Sequence, residues 1–257
     1  MTLTQVTLDG SATQVVERPD GAGHYARAVL TPQTLLIDAD DTLWANNIYF
    51  EQVTADYLRW LAHPTLQHAD IRQILDDIER ANIHTAGFGS LAFLQNLREC
   101  FQLLMQRPVV DREAAEIDAM ATALLEHRID LYDGVADTLV ELGLRHDLKL
   151  VTKGHVPEQQ RKIDASELAP YFSSTHIVPT KQAHTYRDLV TELALDVSAT
   201  WMIGNSPASD INPAREAGLR AVYIPNPDTW VLEHAAVDPD DTGILTLQRF
   251  SDLSTVF

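Results

Sequence analysis

The 257-residue chain holds 37 acidic against 19 basic side chains, a formal net charge of −18, and 45% of its residues are hydrophobic. That balance excludes an extended nucleic-acid or anionic-membrane surface, and no apolar run approaches the ~18 residues that a membrane span needs. A small anionic ligand remains compatible with the charge, provided that the site brings its own cations. The single cysteine, Cys100, rules out an intramolecular disulfide and fits a reducing cytoplasm. The N-terminus also lacks the basic and apolar regions of a signal peptide. The ten histidines show no metal-binding spacing such as H-E-x-x-H.

Residues 1–31 mix polar, Gly and small residues, with turn signals at Asp9-Gly10 and Asp20-Gly21, and read as an extension that is either a hairpin or a loose segment. Pro32 introduces the first strand, about Thr34 to Asp38. From Ile48 to Arg128 the apolar spacing turns helical. Val53, Tyr57, Leu58 and Leu61 share one stripe, Ile71, Ile74, Leu75 and Ile78 the next, then Leu91 to Leu104, then Ile117, Met120, Leu124 and Leu125. The spacing predicts four helices broken at His63-Pro64, Ala86 to Gly89 and Arg107-Pro108, an all-helical insert over residues 47–129. Beyond Asp133-Gly134, helices alternate with strands at Leu148–Thr152, Ser174–Val178, Thr200–Gly204 and Arg220–Ile224. A helix at about Ala208–Ala217 lies between the last two, and one more strand is expected near Gly243–Leu247. This is the βαβ pattern of an α/β, doubly wound, mostly parallel sheet, with residues 32–46 and 130–257 as its core.

In such a sheet ligands bind beyond the carboxyl ends of the strands, and four strand ends deliver polar groups there. The first strand runs into Asp38, Asp40 and Asp41, which repel one another unless a cation sits among them. Thr152-Lys153-Gly154 ends the second strand, Lys181 follows the third, and Gly204-Asn205-Ser206-Pro207-Ala208-Ser209-Asp210 follows the fourth. Each residue type has a use against a phosphoryl group. A carboxylate (Asp38) can attack phosphorus and split a hard hydrolysis into two steps. Asp40 can protonate the leaving oxygen and later deprotonate water. Thr152 and Lys181 can hold the equatorial oxygens, and Asp210 with Asp38 can hold Mg²⁺.

These residues resemble the four motifs of the haloacid dehalogenase-like (HAD) hydrolase superfamily. Asp38-Ala39-Asp40-Asp41-Thr42-Leu43 is similar to its D-x-D-x-T-L motif, Thr152-Lys153-Gly154 to the second, Lys181 to the third-motif lysine, and Gly204 to Asp210 to the fourth. The resemblance implies a Rossmann-like core with a C1-type helical cap domain and an aspartyl-phosphate mechanism. Asp38 would be the nucleophile, Asp40 the acid/base and a backbone metal ligand. Thr152, Lys153, Gly154 and Lys181 would bind phosphate, and Asp210 and Asn205 would complete the Mg²⁺ site. Asn205 replaces an acid of the fourth motif, which removes one negative charge from the metal site. Asp41 stands where Gly is frequent, and can anchor the loop.

The expected activity is Mg²⁺-dependent hydrolysis of a small phosphorylated metabolite by a cytoplasmic monomer or homodimer, with neither nucleic acid nor membrane as partner. Rival readings are a 2-haloacid dehalogenase, a phosphomutase and a non-catalytic protein of the same fold. Asp40 argues against the dehalogenase, because a departing halide needs no proton. Asn46 and Asn47 read as helix caps or substrate contacts, Phe88 as a helix break or part of a loop over the site, and Lys153 and His155 as solvated or as binders of a second anionic group.

Overall fold

The computed structural model describes residues 3–8, 11–19, 25–29, 31–126 and 129–257. The turn signals at Asp9-Gly10 and Asp20-Gly21 lie outside the described residues, as do 127–128 and the side chain of Leu125. In the N-terminal extension β1 (Leu3–Leu8), β2 (Ser11–Pro19) and β3 (Tyr25–Val29) pair antiparallel in the order β1-β2-β3. The extension is therefore one strand longer than a hairpin.

The core sheet begins with β4 (Thr34–Ile37). Two short strands, β5 (Trp44–Ala45) and β6 (Asp130–Leu131), pair antiparallel where the chain leaves the core and returns to it. Between them run α1 (Asn47–Leu61), α2 (His68–Ala86), α3 (Ser90–Met105), α4 (Asp111–Met120) and α5 (Thr122–Leu125). The fourth expected helix is thus two, because the Ala121 backbone departs from helical geometry and bonds back to Asp118. The other breaks stand where the Pro and Gly signals put them. The insert's apolar stripes meet each other in a core of their own, with Tyr57, Ile71, Leu97, Cys100 and Ile117 fully buried.

The chain then alternates through α6 (Val135–Gly143), β7 (Asp147–Lys153), α7 (Val156–Ser166), β8 (Ser174–Val178), α8 (Ala183–Glu192), β9 (Thr200–Gly204), α9 (Asn212–Glu216), β10 (Arg220–Tyr223) and β11 (Ile244–Thr246). The six core strands lie in the order β11-β10-β9-β4-β7-β8, and all their pairings are parallel. Successive residues of a strand face opposite sides, so Leu35 and Ile37 join Leu148, Leu150, Trp201 and Ile203 under α6 and α7. Leu36 joins Val151 and Met202 under Tyr186 and Leu189 of α8. Both faces are covered, which is why these strands read as nearly continuous apolar runs. The C-terminal segment, featureless in the sequence, closes the first layer. Phe257 is 1% exposed and its ring meets Trp201 edge-on at 5.2 Å.

Candidate active site

Central β4 delivers Asp38 between β7 and β9, the Asp38 N–H donating to the Ile203 carbonyl at 2.9 Å. The chain then turns tightly, with the Leu43 N–H donating to Ala39 O at 2.8 Å and Asp41 at φ +60°. Asp tolerates this left-handed geometry better than most residues, and here the side chain has a task. Its carboxylate accepts the backbone N–H groups of Asn46 and Asn47 at 2.9 and 3.0 Å, so Asp41 supplies the start of α1 with the acceptor expected from Asn46 or Asn47. Burial pushes the Asp41 carboxyl up to about 7, against the opposing pull of the Asn47 N–H. The Asn47 amide instead donates to the Asp228 carbonyl at 2.8 Å, tying the insert to a core loop.

Asp38 and Asp210 share one cation. Lys181 is 4% exposed; its ammonium bonds Asp38 Oδ1, and reaches Asp210 Oδ1 at 2.7 Å. Burial alone would lower the Lys181 pKa, but the two carboxylates outweigh it and raise it. Asp38 is pushed up to about 7 by burial and by Asp210, with Lys181 pulling it down. One ammonium therefore leaves the pair short of positive charge. Thr42 Oγ1 donates toward Asp38 Oδ2 at 3.0 Å and Asn205 Oδ1 at 3.1 Å, which sets the Asn205 amide one hydroxyl away from Asp38.

The fourth motif does not begin a regular helix as expected. Residues 207–211 form a wide turn in which the Ile211 N–H reaches back to Ser206 O at 3.1 Å, and α9 starts only at Asn212. Such wide turns recur at functional sites, and this one brings Asp210 over Gly204. A Cβ on Gly204 would lie 2.2 Å from Asp210 Oδ2, an oxygen held in place by the Ser206 N–H at 3.0 Å. Gly204→Ala is therefore expected to destabilise the protein by about 1–3 kcal/mol through overpacking, read as a lower urea midpoint at unchanged slope.

Thr152 is 1% exposed and its Oγ1 accepts from Gln159 Nε2 at 2.7 Å, which leaves its hydroxyl proton available for a ligand oxygen. Lys153 is not free for one. Its ammonium bonds Glu233, donates to Ser209 Oγ at 2.7 Å and stands 4.5 Å from the Phe88 ring centroid. Burial would raise Glu233, but Lys153 and Ser206 hold it below the usual carboxylate range. Gly154, at φ +142°, spends its N–H on the Val178 carbonyl at 3.1 Å, and His155 lines the cleft, exposed, at the start of α7.

Asp40 is held from three sides, by Trp44 Nε1 at 2.7 Å, Gln159 Nε2 at 3.1 Å and Lys162 Nζ at 3.0 Å. Lys162 also donates to Asn46 Oδ1 at 2.8 Å. Gln159 and Lys162 lie three apart on α7, so they share a helix face. That spacing was visible in the sequence; which face turns to the site was not.

The candidate residues Asp38, Asp40, Thr152, Lys181, Asn205 and Asp210 line one cleft between core and insert, with about 1090 Å³ of empty volume that includes open solvent. That is more room than a phosphoryl group alone needs. The insert is tied down at two further points. Glu158 of α7 accepts the Ser90 N–H at 3.0 Å and Ser90 Oγ at 2.8 Å, capping α3 from the core. Trp230 of the loop after β10 donates to Glu79 of α2 at 3.2 Å and meets Phe88 edge-on at 6.3 Å.

The oxygen donors here suit a hard cation. Among the described residues no three His, Cys, Asp or Glu side chains form a ready-made cage. A cation would thus rest on Asp38 and Asp210, with neutral oxygens from the Asn205 amide and the Asp40 backbone. Burial and Asp210 both raise the Asp38 pKa, so positive charge added beside it would favour its ionised form.

The sequence model of the haloacid dehalogenase-like hydrolases matches residues 32–218. The chain belongs to this family. HAD relatives include YfnB of Bacillus subtilis (strain 168), named as a HAD-hydrolase and 26% identical over 206 residues, which are 76% of this chain and 85% of YfnB. A solved haloacid dehalogenase-like family hydrolase from Xanthomonas campestris superposes with a TM-score of 0.76 at 25% identity, covering 88% of this chain and 94% of that one. The L-2-haloacid dehalogenase of Xanthobacter autotrophicus, solved with chloropropionic acid covalently bound, shares the fold at a TM-score of 0.54 and 14% identity, over 87% and 97% of the two chains. The HAD fold and hydrolase class follow from the family, and its members divide between different leaving groups. No helix among the described residues is long and apolar enough to cross a membrane.

Proposed function

We propose that this HAD hydrolase is a Mg²⁺-dependent phosphatase that hydrolyses a small phosphomonoester through an aspartyl-phosphate on Asp38. Asp40 carries the reading. Its carboxylate is fixed at the cleft by Trp44, Gln159 and Lys162, and an alkoxide leaving group needs a proton where a halide does not. The charge of the cleft points the same way. Lys153, Lys162, Lys181 and Arg72 are each paired with a carboxylate already, so an anionic substrate finds no unpaired Lys or Arg among the described cleft residues, which favours chemistry in which a divalent metal supplies the positive charge.

In this reading the ionised Asp38 attacks phosphorus as the P–O bond to the leaving group breaks. Lys181 and the Thr152 hydroxyl hold the phosphoryl oxygens while charge spreads over them. Asp40 gives a proton to the departing oxygen and takes one from the water that opens the acyl-phosphate. Gln159 and Lys162 position Asp40. Mg²⁺, when bound by Asp38, Asp210, Asn205 and the Asp40 backbone, supplies the positive charge that lets a carboxylate approach phosphate. YfnB, the relative named above, was bound to magnesium in its own structure.

Purified protein is expected to hydrolyse p-nitrophenyl phosphate with Mg²⁺ and to lose about 10³-fold of that rate in EDTA, several kcal/mol of charge stabilisation. A metal-independent release of chloride from 2-chloropropionate, with no phosphate released from any ester, would replace this reading with the dehalogenase.

A further inference from the structure

Seven carboxylates and four cationic side chains line the cleft. Each cation is spent. Lys181 lies between Asp38 and Asp210, Lys162 on Asp40, and Lys153 on Glu233. Arg72 gives Nη1 and Nη2 to Glu51 at 2.6 and 2.8 Å and Nε to Asp76 at 2.8 Å, which uses its whole fork. Asp41 has its backbone N–H donors at the start of α1. One carboxylate of the cleft has neither an ion pair nor a backbone donor among the described residues, and feels Arg72 only through space. It is Glu79 of α2, 6% exposed, whose one hydrogen bond among the described residues is the Trp230 Nε1 contact at 3.2 Å.

A buried carboxylate so thinly satisfied is costly unless a ligand completes it. Its surroundings indicate which ligand. Thr54 of α1, 3% exposed, lines the same cleft and has no side-chain hydrogen bond among the described residues. Asn96 of α3, 6% exposed, receives the Asn82 amide on Oδ1 at 2.9 Å and leaves its own Nδ2 unused. The Trp230 ring stands beside Glu79, and aromatic faces attract cations; the Phe88 ring that it meets edge-on already carries Lys153. A second anion on the substrate would meet surplus negative charge here, so the expectation that Lys153 reads one fails: its charge is taken by Glu233.

We propose that the helical side of the cleft selects a phosphomonoester whose leaving group carries a cationic amine, with Glu79 accepting its N–H groups. This rests on the phosphatase reading for what happens at Asp38, but the amine pocket can be tested without turnover. The probes are three phosphonates of matched length, which cannot be hydrolysed at their P–C bond: 3-aminopropylphosphonate, 3-hydroxypropylphosphonate and 3-phosphonopropionate. Calorimetric titration of the Mg²⁺-loaded full chain is expected to rank them amine, hydroxyl, carboxylate, with the amine about tenfold or more tighter than the hydroxyl, as a charge-assisted hydrogen bond gives. Glu79→Gln keeps the acceptor for Trp230 and removes the charge. It is expected to shrink the amine-to-hydroxyl ratio to below about threefold, a ratio that a general loss of folding would not change selectively. Tightest binding of the carboxylate, equal binding of all three, or an unchanged ratio in Glu79→Gln overturns the amine pocket. The expected ranking together with no hydrolysis of p-nitrophenyl phosphate would keep the pocket and overturn the phosphatase.

Discussion

Replacing Asp38 with Asn is expected to lower turnover of any phosphomonoester by about 10⁴-fold or more, the scale seen when a nucleophile that acts as part of a unit is removed. The amide cannot form the acyl-phosphate, so no phosphorylated protein accumulates at any time. Fold is expected to survive, because Asn is isosteric and its Oδ1 still accepts from Lys181, whose other carboxylate partner is Asp210. Asp40→Asn behaves differently although its steady-state rate is also low. The asparagine still accepts from Trp44 and Lys162 through its one oxygen, but it moves no proton, which slows attack of water on the intermediate by about 10²–10⁴-fold. A substrate with a good leaving group, such as p-nitrophenyl phosphate, needs little protonation in the first step. With it the Asp40→Asn protein is expected to become phosphorylated and to stall. Intact-protein mass spectrometry after rapid quenching would detect the adduct, and peptide mapping places it on Asp38. An adduct on Asp40 or Asp41, or label on the Asp38→Asn protein, assigns the nucleophile to another carboxylate.

The sheet was legible in the sequence because burial on both faces forces its central strands into compact apolar runs, and Thr34–Ile37 and Thr200–Gly204 stand where the pattern put them; the edge strand Ser174–Val178, which is not buried, was placed by the alternation of helix and strand instead. The insert was legible for the opposite reason, since its stripes repeat at helical spacing and close on each other. Residues that act on their own strand end, Asp38, Asp40, Thr152, Lys181 and Asp210, could be placed on one sheet edge from topology, and they do line one cleft. What stayed hidden depends on contacts between distant segments. Lys162 and Gln159 read as ordinary polar residues on a helix, and nothing local says that they face Asp40. The loop after β10 carries Thr229, Trp230 and Glu233 into the cleft, but a loop has no period to read. The ion pair that takes up the Lys153 charge was hidden as well, because the sequence does not show Glu233 beside it. The helix expected at Ala208 gave way to a wide turn because Asp210 is drawn back onto Lys181 and the Ser206 N–H, a tertiary demand that local propensity cannot express.

Lys181→Met is expected to be the most destabilising single change at the site, and its cost should depend on pH in a defined direction. The substitution keeps most of the apolar stem and removes the ammonium that Asp38 and Asp210 share. Breaking a buried pair from one side costs about 3–5 kcal/mol, because the other charge is left uncompensated. Here two carboxylates are left, one of them already pushed up to about 7 by burial and by its neighbour. Without Lys181 the opposing pull is gone, and the folded-state pKa of Asp38 rises further. A carboxyl whose pKa is higher folded than unfolded makes the native state bind more protons between the two values, so stability falls as pH rises through that window. In metal-free buffer the variant should therefore unfold near the wild-type urea midpoint at pH 5, where protonation relieves the repulsion. By pH 8 it should lie about 3 kcal/mol below, with both carboxylates forced to ionise on unfolding or to repel when folded. Wild type should change in the same direction but less, since its Asp38 carboxyl is raised to about 7 even with Lys181 pulling it down. A penalty independent of pH would mean that the lysine stabilises through its aliphatic packing, and a penalty largest at pH 5 would mean that the carboxylates it touches are not the groups that set its worth.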